Sequence, residues 1–298
     1  SASLLIAGLF RKLVLANPLF NMIPASAFAT PLEHSGQNLF FWLLAYAIAL
    51  YNDFAGYTAI VRGVSLWFGI ELSPNFNLPY DARNFTEFWN RWHISLSSWL
   101  RDYIFFPLSW SLRRRFPNQN HILNVVLPPM VTFLASGMWH GLSWNLLVWG
   151  ALHGLFQVLE RLPSLWKPVT PLNKRPLWRQ RLGTGVTFLL AALAWVPFRM
   201  PLPIALQYWQ GLFHWTMPDF LEFARTLVGW SPIVGWSQFG LPNPLLLLVL
   251  VVAIFIDSRQ RRARSEEFLL SWSRWGQIVF VFVLLVAALL AFFSDTIL

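Results

Sequence analysis

Long apolar runs broken by short polar punctuation make up most of the chain, and the run lengths match membrane-crossing helices. A hydrocarbon core of ~30 Å takes about 20 helical residues to cross. Trp275 to Ser294 supplies 20 residues without a charge. Leu182 to Phe198 and Leu241 to Ile256 are shorter, each extended by uncharged or snorkelling neighbours. Residues 116 to 159 hold 44 positions with no Asp, Glu, Lys or Arg, room for two crossings, with Met138-Trp139-His140-Gly141 as a turn near the midpoint. Asn38 to Ile70 is a further apolar region, interrupted by Asp53 and Arg62. Gly56, Gly63 and Gly69 are expected to let backbones approach closely there. Leu4 to Ile23, which carries Arg11 and Lys12, reads as the tail of an earlier helix or an interfacial segment. Pro128-Pro129 is expected to interrupt the helix leading to His140. The pattern predicts an all-α, polytopic transmembrane protein forming one domain over residues 1–298.

Residues 84 to 108, NFTEFWNRWHISLSSWLRDYIFFPL, break the rule by mixing charge with aromatic rings. Asn84 followed three positions later by Glu87 predicts a helix start, an asparagine cap with a carboxylate reaching back. Phe85, Phe88, Trp89, Trp92, Leu96, Trp99 and Tyr103 then recur at spacings of three and four, one continuous aromatic face. Thr86, Asn90, His93, Ser97 and Arg101 fall on another face. Two readings of this amphipathic helix stand: an interfacial helix with its polar side in the headgroups, or a polar face lining a wet cavity where His93 meets another group. His140 is the natural partner, because an ionisable group inside a span is costly and marks a functional site by default. Its alternative is a neutral histidine bonded to a backbone carbonyl. Gly137 and Gly141 flank His140 and leave room beside the ring.

Composition sharpens the membrane reading. Charged residues are 12% of the 298, against about 25% in a soluble domain, and mean hydropathy is +0.50. That much apolar surface requires a lipid bilayer. The net charge of +9 does not form the continuous stripe that nucleic acid would need, so nucleic acid is excluded as a partner. Basic residues instead gather in Arg113–Arg115, in residues 160–181 (six against one acid) and in residues 257–274 (five against three). Room for two spans separates each cluster from the next, so all three can share the cytoplasmic side, while the loop from Arg199 to Arg225 faces outward. The absence of cysteine removes disulfides, thiolate metal sites and a cysteine nucleophile. His140 and His153, thirteen apart with no accompanying carboxylate, do not make a metal site. Ser136, one turn before His140, could pair with it as nucleophile and base, but no nucleophile elbow or orienting carboxylate supports the couple. The chain opens on Ser1 without an export signal, so it is expected to be an N-terminally truncated fragment.

Three stretches together resemble the membrane-bound O-acyltransferase family, closest to its bacterial alginate O-acetyltransferase branch, with the teichoic-acid D-alanyl transfer protein as a cousin. They are DFAGYTAIVRGVSLWFGI (residues 53–70), NFTEFWNRWHISLSSWLRDY (84–103) and MWHG (138–141). The resemblance implies helices around a membrane tunnel, with further helices before the segment matching Ser1. It also implies two functional histidines, His140 as the essential one and His93 as its helper. Asn90, Trp92, Ser97, Trp139, Asp53 and Tyr57 are the expected substrate and tunnel residues. No bound cofactor or metal is implied. Acetyl-CoA or another acyl thioester is the expected co-substrate, drawn from the cytoplasmic side of a bacterial inner membrane. The acceptor is a hydroxyl of an exported polysaccharide or of a periplasmic partner. After Tyr103 the chain reads IFFPLSWSLRRR, where the alginate branch usually has a glycine-rich turn, which leaves the acceptor sugar open. Two other classes remain to be weighed. A transporter should show inverted halves with matching broken helices, and the sequence shows none. A non-catalytic scaffold for a periplasmic acyltransferase would lack acyl-thioester turnover.

Overall fold

The computed structural model describes residues 2–118, 121–166 and 170–215. The spans expected at Leu241–Ile256 and Trp275–Ser294 and the basic loop 257–274 lie outside the described residues, as does much of the loop to Arg225. Among the described residues every element is helical. Four helices are long and apolar enough to cross a membrane: Ala2–Asn21, Gly36–Phe68, Ile122–His140 and Leu177–Arg199. The described residues divide into two compact units, residues 2–74 with 207–215, and residues 75–206.

In the first unit, α1 (Ala2–Asn21) packs on α2 (Gly36–Ser65) through glycine. A Cβ on Gly8 or on Gly56 would stand 2.7 Å from the other's carbonyl oxygen, and one on Gly63 would stand 2.7 Å from Leu5 Cγ. Lipid offers helices no hydrophobic drive to associate, so close backbone packing has to supply it. Gly69 does not take part, contrary to expectation. It has open space around it and ends the short turn Leu66–Phe68 at φ 73°, a left-handed conformation that glycine adopts without strain.

The opening stretch is more than an interfacial segment, since α1 is itself of spanning length. Its two cations are turned onto α2. Arg11 is buried, donates to Asn52 Oδ1 at 2.8 Å and lies 5.3 Å over the Tyr51 ring, while Lys12 pairs with Asp53. Partnering of this kind is how a span tolerates charge. Both cations fall in a π-helical stretch, Phe10–Ala16.

The second unit comprises α3 (Phe85–Trp89), α4 (Ile94–Leu100), α5 (Phe106–Arg115), α6 (Ile122–His140), α7 (Trp144–Arg161) and α8 (Leu177–Arg199). The π-helical residues Arg101–Phe105 join α4 to α5. α6 and α7 form the tightest pair. A Cβ on Gly150 would fall 2.3 Å from the Phe133 carbonyl oxygen, and one on Gly137 would fall 2.4 Å from that of Leu146. Pro128 and Pro129 do not interrupt α6, as the sequence suggested they would. The helix runs through both, with Thr132 donating to the Pro128 carbonyl at 2.6 Å and α7 packed alongside. Membrane helices accommodate proline by such local repair. Because α6 and α7 run antiparallel, the start of α6, which follows Arg113–Arg115 in the chain, and the end of α7 at Arg161 lie at the same end of that helix pair.

Candidate active site

The single helix expected over residues 84–108 does not form. Its start is as predicted: Asn84 Oδ1 accepts from Glu87 N at 2.7 Å. The Glu87 carboxylate reaches back one residue further than expected, accepting from Arg83 N at 2.9 Å and pairing with the Arg83 guanidinium. Burial pushes the Glu87 carboxyl up, but the hydrogen bonds and charge of Arg83 outweigh it and hold its pKa below the usual carboxylate range. Glu160 of α7 adds a second cap from a distance, its carboxylate accepting from Phe85 N, Thr86 N and the Thr86 hydroxyl. After Trp89 the chain turns, and α4 restarts at Ile94 with His93 in the left-handed conformation, φ 44° and ψ 56°.

Asn75 makes this break. Its carbonyl accepts from Ile94 N at 2.9 Å and its side chain from Ser95 N at 3.0 Å, so two of the orphan amides of α4 are satisfied from outside the helix. The turn also divides the aromatic face. Phe85, Phe88, Trp89 and Trp92 are buried in the unit, Trp92 against Phe76, Phe88 and Trp195. Trp99 and Tyr103 stack on each other in the open, 51% and 68% exposed.

His140 closes α6, and Gly141 takes the chain round to α7. Three rings meet the imidazole edge to face: Trp139 at 4.8 Å between centroids, Trp149 at 5.1 Å and Phe198 at 5.0 Å. The Trp139 indole also faces the His93 imidazole at 6.3 Å. Trp139 therefore links the two histidines, whose rings can stand no further apart than those two contacts together. His93, Ser95, Leu96, Trp99 and Trp139 line one open pocket of about 360 Å³. Both histidines are half-buried, so each imidazole is held by protein yet reachable.

The other expected site residues disperse. Asn90 lies across the break from His93, whereas Ser97 keeps its place one turn on, its N–H donating to the His93 carbonyl at 2.9 Å; both line a different cavity, with Gln157 and Arg161. Asn90 is exposed rather than enclosed. Trp92 is core. Asp53 is engaged by Lys12, and Tyr57, one turn on, is 55% exposed; both belong to the first unit. Trp149 and Phe198, which box His140, were missed, and only aromatic richness near the end of each span hinted at them. His153 is not a ligand of anything described. It is fully buried at the centre of the second unit, its ring 5.0 Å from those of both Trp89 and Trp149. Among the described residues no group of three or more His, Asp or Glu is placed to hold a metal.

An all-α membrane protein with two histidines converging on one indole is the class this arrangement defines. The sequence profile of the membrane-bound O-acyltransferase family matches residues 5–198, and the chain belongs to that family. It is similar to the probable alginate O-acetylase AlgI of Azotobacter vinelandii, 38% identical over 214 residues, 66% of this chain and 40% of that protein. Against the peptidoglycan O-acetyltransferase of Helicobacter pylori it is 36% identical, covering 64% of this chain and 34% of that protein. The teichoic acid D-alanyltransferase of Streptococcus thermophilus is 34% identical over 52% of this chain and 40% of its own length. The chain thus spans two fifths or less of the length of these curated relatives.

Proposed function

We propose that the chain carries the catalytic centre of an acyltransferase of the bacterial inner membrane, which moves an acetyl or other acyl group from a cytoplasmic thioester to a hydroxyl on an exported polysaccharide or a periplasmic carrier protein. The observation that supports this reading is the convergence of His93 and His140 on Trp139 from segments 47 residues apart. As unrelated core histidines they would have no reason to meet. As members of one reaction centre they must.

In this reading His140 is the general base. Its imidazole takes the proton of the acceptor hydroxyl as that oxygen attacks the thioester carbonyl carbon. Charge then develops on the carbonyl oxygen, and an N–H of His93 donates to it. When the tetrahedral intermediate collapses the carbon–sulfur bond breaks, and the departing thiolate takes the proton back from His140, leaving an ester and a free thiol. The rings around His140 fix its plane and limit water at its inner face, so little reorganisation is left for the moment of reaction. The basic loops at the cytoplasmic end favour a phosphate-bearing donor such as acetyl-CoA or an acyl carrier.

In the full-length protein, His140→Ala is expected to lower acyl transfer by about 10²–10⁴-fold at equal expression, the usual worth of general-base assistance. His93→Ala should lower it by less. Wild-type acylation by His140→Ala would remove the assignment.

A further inference from the structure

His153 is a polar group at the centre of the second unit to which the reaction centre gives no part. It is fully buried, and among the described residues neither of its ring nitrogens has a hydrogen-bond partner. A neutral imidazole carries one N–H donor and one acceptor, so both go unmet here, at a cost that phenylalanine or leucine would avoid. The buried indole N–H groups of Trp89 and Trp149 share this condition, whereas that of the neighbouring Trp195 donates to the Tyr80 hydroxyl at 3.3 Å. Where a folded chain keeps a costly polar group in its core, function is the usual reason.

The place of the imidazole supplies that reason. Its ring stands 5.0 Å from that of Trp149, and Trp149 stands 5.1 Å from His140, each pair edge to face. It stands 5.0 Å from Trp89 as well, again edge to face. Trp89 is the last residue of α3, four positions before His93. One buried imidazole thus touches both the indole behind His140 and the indole at which the chain turns toward His93. Phe88 lies parallel to it at 6.3 Å and closes one face. In an edge-to-face pair the electropositive edge of one ring meets the electron-rich face of the other, and an N–H makes a stronger edge than a C–H. The surrounding rings offer His153 such faces and nothing better.

We infer that His153 is a positioning residue for the reaction centre. The polar edge of its ring, set against the indoles, holds the planes of Trp89 and Trp149, and through Trp149 it holds the plane of His140. A hydrocarbon side chain would fill the same volume without directing it. The inference rests on the acyl-transfer reading for its effect on rate. The line of contacts from His153 through Trp149 to His140 does not depend on that reading.

The test uses the full-length chain in phosphatidylcholine nanodiscs, wild type beside His153→Phe, His153→Gln and His140→Ala. Phenylalanine keeps a ring and removes the unmet polar atoms, while glutamine keeps an N–H and loses the ring. If His153 only filled the core, rate would follow stability, and phenylalanine would be the better replacement on both counts. Positioning reverses the order of the rates. His153→Phe should melt at or above the wild-type temperature yet lower kcat about 10- to 100-fold with KM unchanged, the scale of loss when a catalytic group is displaced by up to about 1 Å. His153→Gln should melt lower and keep more of kcat. His153→Leu makes the same comparison should phenylalanine prove too large to fold. A second readout needs no reaction. The ring nitrogen-15 resonances of His140, assigned by their loss in His140→Ala, should shift or broaden in His153→Phe and do so less in His153→Gln. Such shifts together with wild-type acyl transfer by His140→Ala would remove His140 as the base while upholding its positioning by His153. Unmoved His140 resonances in a folded apolar variant would overturn the inference, and so would rates that rank as the melting temperatures do.

Discussion

Asn75 Oδ1 accepts the backbone N–H of Ser95 at 3.0 Å, and through that bond a residue outside the helix fixes where α4 begins and hence where His93 stands. Removing a capping side chain costs about 0.5–2 kcal/mol. Asn75→Ala should therefore lower thermal stability modestly while lowering acyl transfer more than that loss explains, because His93 sits at the uncapped start. Asn75→Asp, which keeps the acceptor, should restore both. A melting curve and an acylation assay on the same preparations check the pair, and unchanged activity in a destabilised Asn75→Ala would refute the link.

That bond also explains why the site was only half legible in the sequence. Periodicity from Phe85 to Tyr103 is genuine, and Asn84 with Glu87 correctly marks the start. The stop came from Asn75, nineteen residues upstream of His93's neighbour Ile94 in the chain, where no local rule looks. Once the helix breaks, the helical wheel that set Asn90 beside His93 fails, while Ser97 stays one turn from His93 in α4. Among the described residues, the spans read over Leu182–Phe198 and leading to His140 fared better, since length and charge-free composition decide them with no need of partners. Trp144–Arg161, the second crossing expected in residues 116–159, is a helix that is not among those long and apolar enough to span. Proline was over-read. Pro128 and Pro129 remove two amides, but a packed neighbour and Thr132 keep α6 intact. The meeting of His93 and His140 was reachable from ionisable residues inside apolar surroundings, whereas the Trp149 and Phe198 rings around His140 required three-dimensional packing.

Gly150 and Gly185 should respond in opposite ways to alanine. At Gly150 the new Cβ would stand 2.3 Å from a backbone carbonyl oxygen, so α6 and α7 must separate and lose packing along their length. At Gly185, in α8, nothing lies within 4 Å, and alanine gains about 1 kcal/mol of helix propensity. Gly150→Ala should lower the melting temperature in detergent by several degrees, and Gly185→Ala should hold or raise it. Equal behaviour of the two would mean that α6 and α7 do not cross where described.

Acid should weaken the Arg83–Glu87 corner. Arg83 holds the Glu87 pKa below its ordinary value, so the carboxylate binds fewer protons in the folded chain than in the unfolded one. Its contribution is complete above the unfolded carboxylate range, about pH 4.3, and is lost as pH falls through the lower folded value. Stability measured from pH 5 downward should fall more steeply in the wild type than in Glu87→Gln. Parallel curves would show that the pair adds no pH-dependent stability.

The positive loops give a topology that can be read chemically, because the chain has no cysteine to mask. Arg114→Cys and Lys174→Cys should react with an impermeant thiol reagent from the same membrane face, and from the loop charges Arg262→Cys should share it. Labelling of any one from the opposite face would break the topology.

Trp139 is 60% exposed, yet its ring meets His140 at 4.8 Å and His93 at 6.3 Å. An exposed indole in lipid or water needs no explanation alone, but one that touches both imidazoles can set the angle between them. Edge-to-face contacts of this kind are worth about 0.5–1.5 kcal/mol beyond burial. Trp139→Ala should therefore loosen both rings without unfolding the helix end, since Trp149 and Phe198 still hold His140. The expected loss is about tenfold in acyl-transfer rate, taken as the upper part of that range, and smaller than the loss from His140→Ala. Trp139→Phe keeps an aromatic edge and should recover most of the rate. If Trp139→Ala and Trp139→Phe were equally impaired, the indole would be contributing something other than orientation, such as its N–H. If neither differed from wild type, the two histidines would not depend on the ring between them.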